Sequence, residues 1–225
     1  MYYALILDSA GKGTGQHAYA EEPVTYPSNE IACTQAQAQN PGAWSLVSGS
    51  LVQSLAYAKA TQSALIKQGF NNAVAAIPFT INGVNYTLDT AQPKQAADMA
   101  IVVAANNTMN HPVLWAASTP VAQYAIQLVG SSYLFCTVAG TTGTTAPTPP
   151  TTFGTPITDG GVTWELYGRT LELSDGSHAT FTVQELISIF QQVEVYIHYQ
   201  KNQKLNLLAQ IAAATTVSAV QAIVW

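Results

Sequence analysis

The sequence predicts an α+β fold: β-hairpins packed with a few helices, a long C-terminal helix, and a small all-β module inserted into that body. Three observations carry the expectation. Short alternating apolar runs flank turn dipeptides, Asn82-Gly83 and Asp175-Gly176 above all. A stretch beginning at Thr182 places Leu186, Phe190, Val193, Ile197, Leu207 or Leu208, and Ile211 at three- and four-residue steps, the period of a helix face. Between Trp115 and Tyr167 a run of Thr, Gly and Pro separates two aromatic-bearing strand patterns and contains almost no helix-forming sequence.

The first fifty residues read as a small sheet. Residues 2–7 form an apolar strand that runs into Gly11-Lys12-Gly13-Thr14-Gly15. A phosphate-binding loop needs Gly, four residues, then Gly-Lys-Ser/Thr opening a helix, whereas this run continues into Gln16-His17, so it is a hairpin turn. Pro23, Pro27 and Pro41-Gly42 punctuate the next stretch, and Trp44–Val47 with Ser50–Val52 make a hairpin about Ser48-Gly49. Leu55 to Lys67 is rich in helix formers, and Gly69 with Asn71-Asn72 is expected to stop or kink that helix. Phe79–Ile81 and Val84–Leu88 then pair about Asn82-Gly83, whose residues accept the positive φ angles of a type I′ turn. Asp89-Thr90 offers an N-cap for a helix reaching about Ala105, with Pro93 in its first turn.

In the module, 133–138 and 162–167 are strands, and Gly140 to Gly154 is a loop expected to be extended and solvated, since Pro147, Pro149 and Pro150 cannot donate ladder hydrogen bonds. Its hydrophobic pattern looks self-contained, so a linker replacing 116–166 should leave a folded protein. Leu171–Leu173 and Ala179–Phe181 form a last hairpin about Asp175-Gly176. Thr182 and Glu185 make a capping box for the long helix, and Thr215-Thr216 restarts a short one ending on Trp225. The organisation read this way is a β region at 1–52, a discontinuous α+β domain at 53–111 and 168–225, and the inserted module at 112–167.

The chain has 225 residues, enough to bury roughly 70% of its unfolded surface. Only 8% of residues are charged, twelve acids against seven bases, so Gln, Asn, Thr and Ser must build much of the surface. Nucleic acid is excluded as a partner because no basic stripe exists to neutralise phosphates. Cys33 and Cys136 lie far apart and suggest neither a metal site nor a redox pair. The N-terminal apolar run meets Asp8 too soon for a signal segment, and no stretch offers ~18 uninterrupted apolar residues, so no membrane insertion is expected.

The frame Trp115, Tyr133, Cys136, Ala139-Gly140-Thr141-Thr142-Gly143, Pro147, Pro150 and Asp159-Gly160-Gly161-Val162-Thr163-Trp164 resembles a small module of bacteriophage tail fibres and spikes. That module is similar to the chitin-binding type of carbohydrate-binding module. This chain departs from the family in two places: Val121 and Tyr124-Ala125 stand where an aromatic and a Gly-Asp turn are common, and Pro149 where a Trp is common. The surrounding body, about 78–110 and 168–225, resembles an uncharacterised domain of phage tail proteins, and residues 1–50 resemble N-terminal segments of tail-fibre accessory proteins. The resemblance implies a tail fibre, spike or baseplate component, made in the host cytoplasm and located in the virion tail. Its implied partners are other phage tail proteins, copies of itself in a homo-oligomer, a trimer being usual for such appendages, and host surface polysaccharide. The alternative is an assembly accessory or chaperone that binds the fibre without contacting the host.

Catalytic chemistry is not expected. Glycoside hydrolysis needs two carboxylates across a cleft, and acids are sparse here: Asp159 and Glu165 are close in sequence, but Asp159 is better explained as the turn residue of Asp-Gly-Gly. His17, His111, His178 and His198 lack metal-ligand spacing, and Asp175, Ser177 and His178 crowd one turn too tightly for a triad. No cofactor and no metal is implied. Tyr124, Tyr133, Trp164 and Tyr167 are the candidate stacking faces for a glycan, with the module's own core as the competing use of the same rings. Trp164 and Tyr167 are expected on opposite strand faces, one of them towards solvent. The long helix's apolar stripe has near-heptad steps, which suit either a bundle of identical chains or packing on its own sheet.

Overall fold

The computed structural model describes residues 1–23, 25–90, 104, 107 and 109–225, and these residues form an α+β fold. They divide into two compact units, one of Met1–Asn71 with Gln200–Trp225 and one of Asn72–Tyr199. This division cuts the chain elsewhere than the sequence pattern does, because the first 52 residues share a unit with the start of one helix and the end of another.

In the first unit, β1 (Tyr2–Leu7) lies between β2 (Gly13–Tyr19) and β3 (Glu30–Cys33), antiparallel to both. Ala4 and Leu5 are fully buried on this central strand. The Gly-rich run is a hairpin turn: Asp8 Oδ1 accepts from the amides of Ala10 and Lys12, each at 2.9 Å, and Gly11 sits at φ 76°. A short helix α1 (Gln35–Ala38) starts on a capping box made by Thr34 and Gln37. β4 (Trp44–Val47) and β5 (Ser50–Gln53) pair as expected about Ser48-Gly49.

Helix α2 (Leu55–Ala75) does not stop or kink at Gly69 but runs through it and through Asn71-Asn72. The glycine is there for packing. A Cβ at Gly69 would sit 2.5 Å from Cγ of Trp225, so the position must lack a side chain for the terminal indole to approach. Ile66, Ile211 and Val220 form the buried centre of this region, with Leu207, Leu208 and Trp225 packed around them. Lys204 Nζ stands 3.9 Å above the Phe70 ring, and Lys59 Nζ donates to the carbonyl of Ala212 at 2.6 Å, satisfying an acceptor at a helix end. The short helix α4 (Val217–Gln221) begins on Thr216, whose hydroxyl accepts from the Ala219 amide.

In the second unit, β6 (Ala76–Ile81) and β7 (Val84–Asp89) pair through Asn82 at φ 51° and Gly83 at φ 79°, the geometry the dipeptide announced. The helix expected between Asp89 and Ala105 falls largely outside the described residues. The strands of the module follow: β8 (Pro120–Val121), β9 (Ile126–Val129), β10 (Ser132–Val138), β11 (Gly140–Thr141), β12 (Ile157–Asp159) and β13 (Val162–Leu166). Four of its strands form a sheet in the order β12-β13-β10-β9, and β11 pairs with β8. β14 (Gly168–Glu172) and β15 (His178–Thr182) follow as a hairpin closed by Asp175, whose Oδ1 accepts from the amide and hydroxyl of Ser177.

Helix α3 (Val183–Ala213) runs for 31 residues from the capping box: the Thr182 amide donates to Glu185 Oε2 at 2.8 Å and the Glu185 amide to Thr182 Oγ1 at 3.3 Å. Glu185 Oε1 also accepts from Asn82 Nδ2 at 2.7 Å, so one carboxylate joins the helix start to the β6–β7 turn. Part of the predicted stripe packs inside the chain, with Ile189 rather than Phe190 in the core. Leu186, Ile189 and Val193 pack with Ile77, Phe79, Leu171 and Phe181 in one core, while Ile211 is buried with Ile66 in the first unit.

The module's sheet has two apolar faces. Leu134, Cys136, Val162, Trp164 and Leu166 point into a core of the module's own. Tyr133 joins the hairpin-and-helix core instead, with Ile126, Leu128 and Tyr167 packed against it. Strand alternation is the cause, since successive side chains leave opposite faces of the sheet and here both faces are covered. The module is therefore not self-contained.

Candidate functional site

Asp159 organises the module. It is 5% exposed, and its carboxylate accepts from three donors: Trp115 Nε1 to Oδ2 at 2.7 Å, Trp164 Nε1 to Oδ2 at 3.2 Å, and the Gly143 amide to Oδ1 at 2.7 Å. Sequence reading took Asp159 for a turn residue and missed the bracket. The available signal was two tryptophans and an acid in one short module, because a buried indole N–H needs an acceptor.

The glycines around it make the bracket close. A Cβ at Gly143 would lie 2.8 Å from Asp159 Oδ1, and at Gly160, with φ 60°, one would lie 2.5 Å from the Thr141 carbonyl oxygen. Two turns thus interlock backbone to backbone. Thr142, 4% exposed, ties the same region down: its hydroxyl donates to the Ala116 carbonyl at 2.7 Å and accepts from the Thr119 amide at 2.8 Å. The expected solvated loop is therefore corrected at its start, where Gly140–Thr141 pairs with β8 and Thr142 is buried. From 144 the chain is mostly exposed until Phe153, which packs against the module core.

Trp164 is fully buried and Tyr133 is 4% exposed, so neither can offer a stacking face. Each fills a core, Trp164 the module's own and Tyr133 the one beneath the sheet, and burial pushes the Tyr133 hydroxyl above its ordinary pKa. Tyr167 does leave the opposite strand face from Trp164, as alternation required, and is half-buried. Its ring is engaged, with the Arg169 guanidinium 5.5 Å from the centroid, Arg169 Nε donating to its hydroxyl at 3.0 Å, and Phe135 edge-on at 6.3 Å. Arg169 had no place in the sequence reading.

Tyr124 alone stands clear, 73% exposed, in the turn between β8 and β9. Its backbone lies at φ 68°, a left-handed conformation that costs a bulky residue on the order of 1–2 kcal/mol. The Tyr124 amide donates to the Cys136 carbonyl at 2.7 Å, which holds the turn against β10. The four candidate residues therefore do not form one surface.

Asp159 lies under two indoles, and Glu165 leaves the opposite face of β13 from Trp164. Among the described residues no group of three His, Cys, Asp or Glu could hold a metal ion, and no helix is long and apolar enough to cross a membrane. Burial raises the thiol pKa of both Cys33 and Cys136. Compared with protein families, characterised proteins and solved structures, the chain matches none.

Proposed function

We propose that this chain is a non-enzymatic structural component of a bacteriophage tail, a fibre, spike or baseplate part, whose module presents Tyr124 for contact with a host surface glycan. The observation that carries the reading is the Asp159 bracket. The residues on which the tail-module resemblance rests, Trp115, the Gly140–Gly143 turn, Asp159-Gly160 and Trp164, meet there in one hydrogen-bonded unit. A motif whose members depend on one another physically is better grounds for a resemblance than scattered identities.

Tyr124 supports the recognition part. A bulky ring kept in a strained turn where the family favours Gly, and left 73% exposed, contributes nothing evident to stability. The sparse charge supports capture by stacking and hydrogen bonding over electrostatic steering. The test is to raise antibody against the chain and probe purified virions of the phage that encodes it. Retention at a fixed copy number per tail is expected. A chain found on fibres in infected lysates but absent from finished virions would overturn the structural reading and favour the assembly accessory.

A further inference from the structure

The first unit carries a cleft of ≈400 Å³ at the start of β1, lined by Tyr2, Tyr3, Glu22, Tyr26, Thr34 and Gln35 among others. That volume falls within the ~300–1,000 Å³ range of small-ligand sites. We propose that this cleft binds a neutral saccharide, a site separate from the module and independent of the tail reading.

The lining supplies what an uncharged polyol asks for. A sugar ring has apolar C–H faces and a rim of hydroxyls that both donate and accept. Tyr26 and one of the consecutive β1 residues Tyr2 and Tyr3, whose side chains leave opposite faces of the strand, meet the first need. Their hydroxyls, the Gln35 carboxamide and the Glu22 carboxylate meet the second, and none of these groups has a hydrogen-bond partner among the described residues. Thr34 is different, since its hydroxyl is occupied by the α1 capping box.

Part of the wall is held in place before any ligand arrives. Glu30, its side chain 4% exposed, takes His17 Nδ1 at 2.7 Å on one oxygen and the Tyr19 hydroxyl at 2.5 Å on the other. Tyr19 stands opposite Tyr2 in the β1–β2 register, and its ring meets the Tyr26 ring edge-to-face with centroids 5.8 Å apart. A chain of contacts therefore fixes Tyr26 from behind, which lowers the ordering cost of binding.

Charge selects the ligand class. The cleft's formal charges are the Glu22 carboxylate and the Met1 α-ammonium, which offset one another, and no Lys, Arg or His side chain lines it, so a neutral ligand suits it better than a phosphate, sulfate or uronic acid. A quaternary ammonium would suit the rings and Glu22, but it would leave the tyrosine hydroxyls and Gln35 without a role.

The full chain is tested against an array of neutral oligosaccharides built from hexoses, N-acetylhexosamines and 6-deoxyhexoses, against uronic-acid-containing oligosaccharides, and against tetramethylammonium, with calorimetry on the best binder. Expected are binding to a neutral member, insensitivity to salt, and a roughly thirtyfold loss with Tyr26→Ala. Gln35→Ala, an exposed change that spares the sheet, should weaken binding too, while Glu22→Gln, which keeps hydrogen-bonding capacity, should barely alter it. Four results would overturn the proposal: no neutral member bound, a preference for acidic sugars or for tetramethylammonium, affinity unchanged in both Tyr26→Ala and Gln35→Ala, or binding that depends on Tyr124 and not on Tyr26. The last would leave the module reading standing. Sugar binding at the cleft by a chain absent from virions would instead remove only the tail reading.

Discussion

Replacing Asp159 with Asn changes one atom and should cost far more than its shape suggests. Every bond the carboxylate makes is accepted, two indoles on one oxygen and the Gly143 amide on the other. An Asn side chain has one acceptor and one donor, so whichever way it turns a donor faces a donor. The cheaper orientation keeps the oxygen on Trp115 and Trp164 and sets the amide nitrogen against the Gly143 N–H, at a separation now 2.7 Å. It forfeits one charge-assisted bond, worth about 1.5–3 kcal/mol, and removes the charge from the other two. We expect a loss of about 3 kcal/mol, measured by urea denaturation, with the indole N–H resonances of Trp115 and Trp164 both displaced in the nitrogen–proton spectrum. A double-mutant cycle with Trp115→Phe should show coupling above about 1 kcal/mol. Stability within about 0.5 kcal/mol of the parent, or no coupling, would refute the bracket.

Other expectations follow from single contacts. Gly69→Ala, a change that would ordinarily help a helix by about 1 kcal/mol, should destabilise by about 1–3 kcal/mol because its Cβ meets the Trp225 indole 2.5 Å away, and pairing it with Trp225→Ala should remove that penalty. Tyr124→Gly should leave the melting temperature unchanged or raised, since it relieves a left-handed residue, while lowering adhesion to host cells; a clear drop in stability would mean the ring is packed after all. The Tyr19 hydroxyl, held above its ordinary pKa chiefly by its bond to Glu30, stabilises the fold fully below the unfolded tyrosine value near ~10. That contribution fades as pH rises through the higher folded value, so Tyr19→Phe should flatten the alkaline limb of a stability–pH curve. Replacing 116–166 with a linker should abolish cooperative unfolding, because it strips Tyr133, Ile126 and Leu128 from the core beneath the sheet.

The turns were the most legible part of the sequence. Asn82-Gly83, Asp175-Gly176 and the Thr182/Glu185 box act through their own backbone and need no distant partner, so local chemistry announces them. Gly69 misled because its reason lies 156 positions away, at Trp225, and a packing glycine looks like a stop signal until the neighbour is known. The site failed for a related reason. Aromatic residues at strand positions are read as available faces, yet a sheet covered on both sides hides Tyr133 and Trp164 and leaves Tyr167 half-buried, and one-dimensional alternation says which residues share a face, not whether that face is covered. Asp159 was assigned by its neighbours Gly160 and Gly161, whereas its energetics are set by Trp115 and Gly143.

The covered faces also limit where the module can vary. Substitution on one side of its sheet disturbs Trp164 and its neighbours, and on the other side disturbs Tyr133 and the hairpins it packs with. The Gly143 and Gly160 turns tolerate no side chain at all. What remains exposed includes the turns at 122–124 and 130–131, residues 138–139, and much of 144–156, where prolines keep the chain out of any ladder. Of these exposed positions Tyr124 is the one that carries a largely exposed aromatic. That is why Tyr124, rather than any of the more conspicuous tryptophans, is the residue on which a recognition role for the module has to rest.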